Sequence, residues 1–197
     1  MVKEYQYKVI NDVIRSRRSV FPAQFSDKKI EKEVIDQILE NANWAPNHGH
    51  TEPWRFFVFS GEGLKQLGEA QSKIYKEVTS EEDFDKNKFE KLLHKPNMAS
   101  HVIAIAMKRG DNPKIPEIEE IEAVACAVQN IYLTATAYGV GGYWGSGGIT
   151  YMEEAKELFG LGEDDKVLGF FYLGYPKEGL ELEGKRKPIQ EKVTWIE

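Results

Sequence analysis

The residues of this chain that could do chemistry gather in four short stretches. Arg17-Arg18-Ser19 sets two guanidinium groups beside a hydroxyl, just after an apolar-periodic segment. Guanidinium matches a phosphate through paired, planar hydrogen bonds and serine adds a neutral donor; a helix end complemented by cations accounts for the same residues. A second basic stretch, Gly184-Lys185-Arg186-Lys187-Pro188, lies near the other end of an otherwise acidic chain. The two could meet around one phosphate, or the second could be a solvated loop. Trp144-Gly145-Ser146-Gly147-Gly148 puts glycines where backbone could approach a flat ligand, because glycine has no Cβ; a plain turn fits as well. No G-x-G-x-x-G opening a helix and no G-x-x-x-x-G-K-[ST] can be written, so neither the dinucleotide fingerprint nor the P-loop is present. Trp144 stands where a nucleophile elbow around Ser146 would need its first glycine. Finally, His48, His50 and Glu52 alternate in a polar loop. Two imidazoles and a carboxylate suffice to ligate a metal, but no further ligand stands at diagnostic spacing, and exposed loop histidines explain them too. No metal is expected.

The elements that must position these stretches follow from hydrophobic period. Val9, Ile10, Val13 and Ile14 have helical spacing, and the basic turn closes that helix. Ile30, Val34, Ile38, Leu39 and Ala42 predict a second amphipathic helix, with Ser26 or Asp27 as its N-cap and Pro46 near its end. Trp54 to Phe59 is short and aromatic, as in a buried strand. Residues 62 to 95 read as helical, with a charged break near Glu81-Glu82-Asp83. His101 to Met107 and Val167 to Leu173 are apolar runs suited to central strands covered on both faces. Between them Ile121, Val124, Ala125, Val128, Ile131, Tyr132 and Ala135 sustain a long helix, apolar over a wide arc and stopped by Gly139, Gly141 and Gly142. Tyr143-Trp144 is extended, and Met152, Ala155, Leu158 and Phe159 mark one more short helix. From Gly174 onward there is little period, yet Trp195 and Ile196 are present, so the tail is expected to wrap a second subunit.

Composition narrows the function class. The 197 residues suit a single domain spanning 1–197 that buries its own core. With 26 Lys and Arg against 32 Asp and Glu, the net charge of -6 predicts no broad attraction for nucleic acid or an anionic membrane. Cys126 is the only cysteine, which removes an intrachain disulfide or a cysteine zinc cluster and suits a reducing compartment. No cleavable leader is read at the start and no run approaches the ~20 apolar residues of a membrane helix, so a cytoplasmic protein with a small-molecule partner is expected.

In their order along the chain these pieces resemble the nitroreductase family, particularly its small bacterial members. The resemblance spans nearly the whole chain. It rests on Ser16-Arg17-Arg18-Ser19, Ala45-Pro46-Asn47-His48 with Pro53-Trp54-Arg55-Phe56, the helix ending Ala137-Tyr138-Gly139-Val140-Gly141-Gly142, Trp144-Gly145-Ser146-Gly147, Leu173-Gly174-Tyr175-Pro176, and Arg186-Lys187-Pro188-Ile189.

The resemblance implies an α+β fold with a mixed central sheet wrapped by helices, and two FMN sites in an intertwined homodimer. Arg17, Arg18 and Ser19 would hold the FMN phosphate, ribityl chain and pyrimidine edge, with Lys185, Arg186 or Lys187 adding to the phosphate grip. Trp44 and His48 would line the cofactor from the partner subunit, His48 also being able to touch the acceptor. Trp144, Gly145 and Ser146 would lie along the ring. Thr134, Ala135, Thr136, Ala137, Tyr138 and Gly139 would contact the nicotinamide. Two departures from the pattern stand out: Gly145 where some similar members carry arginine, and Val20-Phe21-Pro22-Ala23-Gln24-Phe25 after the first basic motif.

The implied activity is FMN-dependent transfer of hydride from NADH or NADPH to a small oxidised acceptor, a nitroaromatic or quinone, in a ping-pong cycle. The absence of a side-chain triad fits chemistry carried by a cofactor. Dehalogenation, ene reduction, flavin breakdown, a non-catalytic flavin-binding dimer and a metal-dependent hydrolase using His48 and His50 are the competing readings.

Overall fold

The computed structural model describes residues 4–197. In chain order its elements are α1 (Glu4–Ser16), α2 (Lys32–Asn43), β1 (Trp54–Ser60), α3 (Glu62–Val78), α4 (Lys86–His94), β2 (His101–Met107), α5 (Glu117–Ala137), β3 (Gly141–Gly145), α6 (Glu154–Leu158) and β4 (Lys166–Gly174). The sheet runs β1-β2-β4-β3. Helices cover both of its faces, giving the α+β architecture in three layers.

Strand alternation decides which side chains enter which layer. Ile103, Ile105 and Met107 of β2, with Phe171 and Leu173 of β4, face a core closed by Ile35 and Ile38 of α2 and by Val124, Val128 and Ile131 of α5. The intervening Val102, Ala104, Phe170 and Tyr172 face the opposite core, closed by Leu64, Leu67 and Tyr75 of α3 and Leu92 of α4. Because both faces are covered, β2 and β4 read in sequence as unbroken apolar runs.

Two expectations are corrected. Among the described residues the sheet expected to be mixed is antiparallel at every strand pairing, and parallel pairing occurs only in the single bridge Ser19 to Gly142. The second helix starts at Lys32 and not after Ser26 or Asp27. The Ser26 N–H donates to the Tyr175 carbonyl at 2.8 Å, and the Ile30 N–H donates to Ser100 Oγ at 2.8 Å. Residues 26 to 31 are thereby tied to neighbouring segments, and cross-chain bonding outweighs the local capping preference.

α5 carries Glu117, Glu119 and Glu120 in its first turn, where the helix dipole favours negative charge. It stops at Gly139, whose φ of 69° is left-handed, and the Val140 N–H closes on the Ala135 carbonyl at 2.8 Å, a glycine-terminated helix end. That stop delivers β3 to the sheet edge. β4 bends at Gly169, where the register with β2 shifts and φ is 125°, as at a bulge. A Cβ there would lie 2.6 Å from the Gly145 carbonyl oxygen and 2.8 Å from Trp144 Nε1. Only glycine lets β3 close against β4 at that point.

Candidate functional site

α1 ends with the Arg17 N–H on the Val13 carbonyl at 3.1 Å. The chain then runs extended beside β3, with the Val20 N–H donating to the Gly142 carbonyl at 2.9 Å. This brings the first basic stretch to the sheet edge. Arg18 spends its guanidinium on backbone: Nε donates to the Leu182 carbonyl at 3.0 Å, and Nη1 donates to the carbonyls of Arg15 at 2.6 Å and Arg17 at 2.9 Å. Gly184 lies so close on the guanidinium that a Cβ would stand 2.7 Å from Arg18 Cζ. Arg18 thus clasps the tail against the end of α1.

The clasp brings the two basic stretches together. Arg15, Arg17, Arg18, Ser19, Tyr132 and Arg186 line one open cleft of about 690 Å³. Among the described residues no carboxylate lies within ion-pair distance of Arg17, Arg18 or Arg186. Guanidinium groups without a carboxylate partner, here those of Arg17 and Arg186, are able to hold an anion. Of the three basic tail residues, Arg186 alone borders the cleft. Lys185 extends into solvent toward Glu183 at 3.8 Å, and the Lys187 carbonyl accepts from Lys192 Nζ at 3.2 Å.

Tyr132, read in the sequence only as a core position of the long helix, is the hub. Its hydroxyl accepts from the Trp144 N–H at 3.0 Å and stands 3.5 Å from Ser19 Oγ. Arg17 Cζ lies 4.8 Å over its ring, and Phe171 meets the ring edge-on at 4.5 Å. One side chain therefore links the basic cleft, the serine and β3.

β3 presents its residues to two sides. Trp144 donates Nε1 to the Leu168 carbonyl at 3.0 Å, and with Ser146 it borders a cavity of about 340 Å³ beside α5. Tyr143 and Gly145 instead border a chamber of about 220 Å³ that reaches Gln71, Lys88, Lys91 and Lys95. A second cleft of about 500 Å³, walled by Phe21, Pro22 and Met98, shares Lys91, Lys95 and Tyr143 with that chamber. Lys95 Nζ lies 4.7 Å over the Tyr143 ring and 4.3 Å over the Tyr172 ring. Burial, helped by the charge of Lys91, lowers the Lys95 pKa to about 8. Burial likewise raises that of the Tyr172 phenol, which stays neutral. The sequence reading missed these lysines, whose spacing of three and then four residues puts them on one helical face.

The remaining candidates lie elsewhere in the protomer. Trp44, at the end of α2, is 78% exposed and donates Nε1 to Glu40 at 3.0 Å. His48 Nδ1 is 2.5 Å from Glu119 Oε2, its ring otherwise open to solvent. His50 and Glu52 have φ of 56° and 41°, the left-handed region that side chains with a Cβ rarely adopt. Among the described residues no cluster of three His, Cys, Asp or Glu side chains is arranged to hold a metal. The segment expected to meet the nicotinamide divides by burial. Thr134 and Ala135 are buried, at 8% and 1% exposed, and Thr134 Oγ1 accepts from Asn41 Nδ2 of α2 at 3.0 Å. Thr136 and Gly139 line a shallow cavity of about 280 Å³ that also touches Arg18, and Ala137 and Tyr138 face solvent.

The model of the Nitroreductase family matches residues 14–175. YfhC of Bacillus subtilis, which carries the provisional name NAD(P)H nitroreductase, is 31% identical over 191 residues, covering 96% of this chain and 95% of its own. The structure of a nitroreductase-like family protein from Bacillus cereus superposes with a TM-score of 0.81 at 33% identity, covering 95% of this chain and 96% of the other. A nitroreductase with bound FMN from Bacteroides fragilis gives a TM-score of 0.69 at 25% identity over 100% of both chains.

Proposed function

The chain belongs to the nitroreductase family, and from that premise we propose that it is an FMN-dependent oxidoreductase carrying hydride from NADH or NADPH to a small oxidised acceptor, a nitroaromatic or quinone. The observation that carries this reading is the meeting of Arg17, Arg18, Ser19 and Arg186 in one cleft. Their charges are unpaired by acid among the described residues, and the place of a Gly184 Cβ is taken by the Arg18 guanidinium. Such a cradle fits a phosphate-bearing cofactor.

When bound, FMN supplies a two-electron carrier that side chains alone do not provide. Arg17 and Arg186 would hold its phosphate through charge-assisted bonds and Ser19 would add a hydroxyl. Arg18 would act mainly by fixing the tail that carries Arg186. Trp144, Gly145 and Ser146 would lie along the ring, with Tyr132 holding the Trp144 backbone in place. Beyond the phosphate, the field of the Arg17 charge and the hydroxyl of Ser19 would favour the negative charge that the cofactor carries when reduced, by preorganised electrostatics. Of the segment from Thr134 to Gly139, the more exposed Thr136, Ala137, Tyr138 and Gly139 would make the main nicotinamide contacts. One open cleft serving both partners gives a ping-pong order, in which the nicotinamide leaves before the acceptor enters.

The protein works as a homodimer with two such sites, each protomer being one domain over 1–197. Val9, Ile10 and Ile14 of α1 are exposed, as are Ile189, Trp195 and Ile196 of the tail. Apolar surface in two such segments favours a partner, and the tail from about 174 is the segment that wraps it. Trp44 and His48, exposed in one protomer, would then face the cofactor of the other. A cytoplasmic site suits the single cysteine; no helix among the described residues is long and apolar enough to cross a membrane.

Replacing Arg17 with alanine tests the reading. Loss of a charge-assisted phosphate contact, about 1.5–3 kcal/mol, weakens FMN binding by about tenfold or more. Unchanged FMN retention would reassign Arg17 to a helix-capping role. Steady NAD(P)H turnover with a quinone separates an enzyme from a flavin-binding scaffold, and acceptor profiling separates nitroreduction from dehalogenation or ene reduction.

A further inference from the structure

His48 Nδ1 lies 2.5 Å from Glu119 Oε2, although the two residues stand 71 positions apart in the chain. His94 by contrast meets Glu90 at 3.2 Å within one helix, a pairing any helix surface offers. The His48 contact needs two separate segments to be held together, and both are. On the side of α5 the next residue, Glu120, is 1% exposed, pairs with Arg109 and accepts from the Gly110 N–H at 2.9 Å, while Arg109 Nη2 donates to the Ile115 carbonyl at 3.1 Å. This pins the helix start beside Glu119. On the loop side the Thr51 N–H and hydroxyl donate to the His48 carbonyl at 3.4 and 3.3 Å, and the Glu52 N–H donates to Asn47 Oδ1 at 3.2 Å. A Cβ on Gly49 would stand 2.7 Å from Ile115 Cδ1, and one on Gly110 would stand 2.9 Å from Thr51 Cγ2, so the loop lies directly on the segment that Arg109 and Glu120 fix. The left-handed φ of His50 and Glu52, 56° and 41°, is backbone strain of the kind that persists only where the surroundings over-determine it, as at ligand clamps.

We propose that Glu119 is a positioning residue that sets the tautomer of His48. An ionised carboxylate only accepts, so the neutral imidazole carries its proton on Nδ1 and leaves Nε2 as a bare acceptor. Among the described residues nothing bonds Nε2, and 63% of the side chain is exposed. A histidine free in water favours the opposite form, with the proton on Nε2, so the contact reverses a default. An exposed pair of this kind adds little to stability; its effect is on which nitrogen holds the proton. The inference rests on the oxidoreductase reading, in which His48 lines the cofactor of the other protomer, and deepens it by stating what His48 offers there. A bare imidazole nitrogen takes a hydrogen from a hydroxyl or N–H of the bound group and gives nothing to an anionic oxygen. The phosphate is accordingly left to Arg17 and Arg186, which line the basic cleft, and His48 serves a hydroxyl-bearing or N–H-bearing part of the same molecule.

The test isotope-labels the histidine ring nitrogens of the full chain and reads their tautomers from long-range proton–nitrogen NMR spectra at a pH where the rings are neutral, with His48→Gln identifying the His48 signals. The wild type should show His48 in the Nδ1–H form, with and without FMN. Glu119→Ala should turn it to the Nε2–H form, and Glu119→Gln, which keeps an acceptor oxygen, should restore the Nδ1–H form. A fluorescence titration with FMN gives the second readout. Glu119→Ala should weaken binding about fivefold, the equivalent of one hydrogen bond of ~1 kcal/mol, and Glu119→Gln should recover most of that loss. In a His48→Gln background Glu119→Ala should change FMN affinity no further, since it acts through the ring; a merely structural loss at the helix start would carry over in full. A wild-type His48 in the Nε2–H form, a tautomer that ignores Glu119→Ala, or equal losses of affinity in the two backgrounds would overturn the proposal. Any of these in a protein that binds FMN and turns over NAD(P)H sinks this inference alone and leaves the oxidoreductase reading standing. A protein that never takes up FMN overturns that reading, while the spectra still decide whether Glu119 sets the tautomer.

Discussion

Tyr132→Phe is the most informative single-atom perturbation of the site. The change removes the hydroxyl that accepts from the Trp144 N–H at 3.0 Å and stands 3.5 Å from Ser19 Oγ. It keeps the ring that Arg17 covers and Phe171 meets edge-on. Leaving a buried donor unpaired costs about 1–3 kcal/mol. Trp144 is only partly buried, so water recovers some of this and the lower half of the range, about 1–1.5 kcal/mol, applies. For a chain of 197 residues each kcal/mol, at roughly 2–4 °C of Tm, predicts a fall of about 2–6 °C. The same bond anchors the β3 end beside Ser19, so a loss of about 1 kcal/mol in preorganisation weakens FMN binding by about fivefold. Thermal melts followed by circular dichroism give the first quantity and a fluorescence titration with FMN the second. Tyr132→Ala, which also deletes the ring, should cost about 3–5 kcal/mol and serves as the upper bound. If Tyr132→Phe melts and binds FMN like the wild type, the hydroxyl holds nothing and the linkage from basic cleft to β3 is wrong.

Three further outcomes are expected. Gly184→Ala sets a Cβ against an Arg18 guanidinium already committed to three backbone carbonyls, so the tail should detach, detected as faster proteolytic cleavage near residue 184 and weaker FMN binding. Arg186→Ala should weaken FMN binding by about tenfold, the loss of one charge-assisted contact, whereas Lys185→Ala and Lys187→Ala change the measured affinity little, because neither borders the cleft. Lys95 has its pKa lowered by burial from 10.5 to about 8. Between those values the unfolded chain holds a proton that the folded chain has released, so this group's contribution to stability rises with pH through that window and is flat below it. Urea midpoints of the wild type against Lys95→Met across that range should diverge in favour of the wild type as pH rises; parallel curves would refute the assignment.

How far the sequence could be read followed from how local each determinant is. The strands β2 and β4 were legible because both faces are buried and every residue had to be apolar. α5 was legible because its apolar period persists for 21 residues. Strand direction left no local mark, and the start of α2 was set by distant partners, Tyr175 and Ser100, which outweigh any cap preference near Ser26. Within the site, Arg17 to Ser19 and the tail cluster were recognisable by residue type, but their meeting depends on Arg18 reaching the Leu182 carbonyl 164 positions away. Tyr132 was seen as core because its ring is core; only its hydroxyl belongs to the site.

The most direct test of the central claim is an anaerobic titration of the FMN-loaded protein with NADH and with NADPH, followed through the visible flavin absorption. Stoichiometric bleaching by at least one nicotinamide, and full return of colour on adding a quinone, are the predicted results. A protein that stays colourless after incubation with FMN, or whose bound FMN neither nicotinamide bleaches, would contradict the claim.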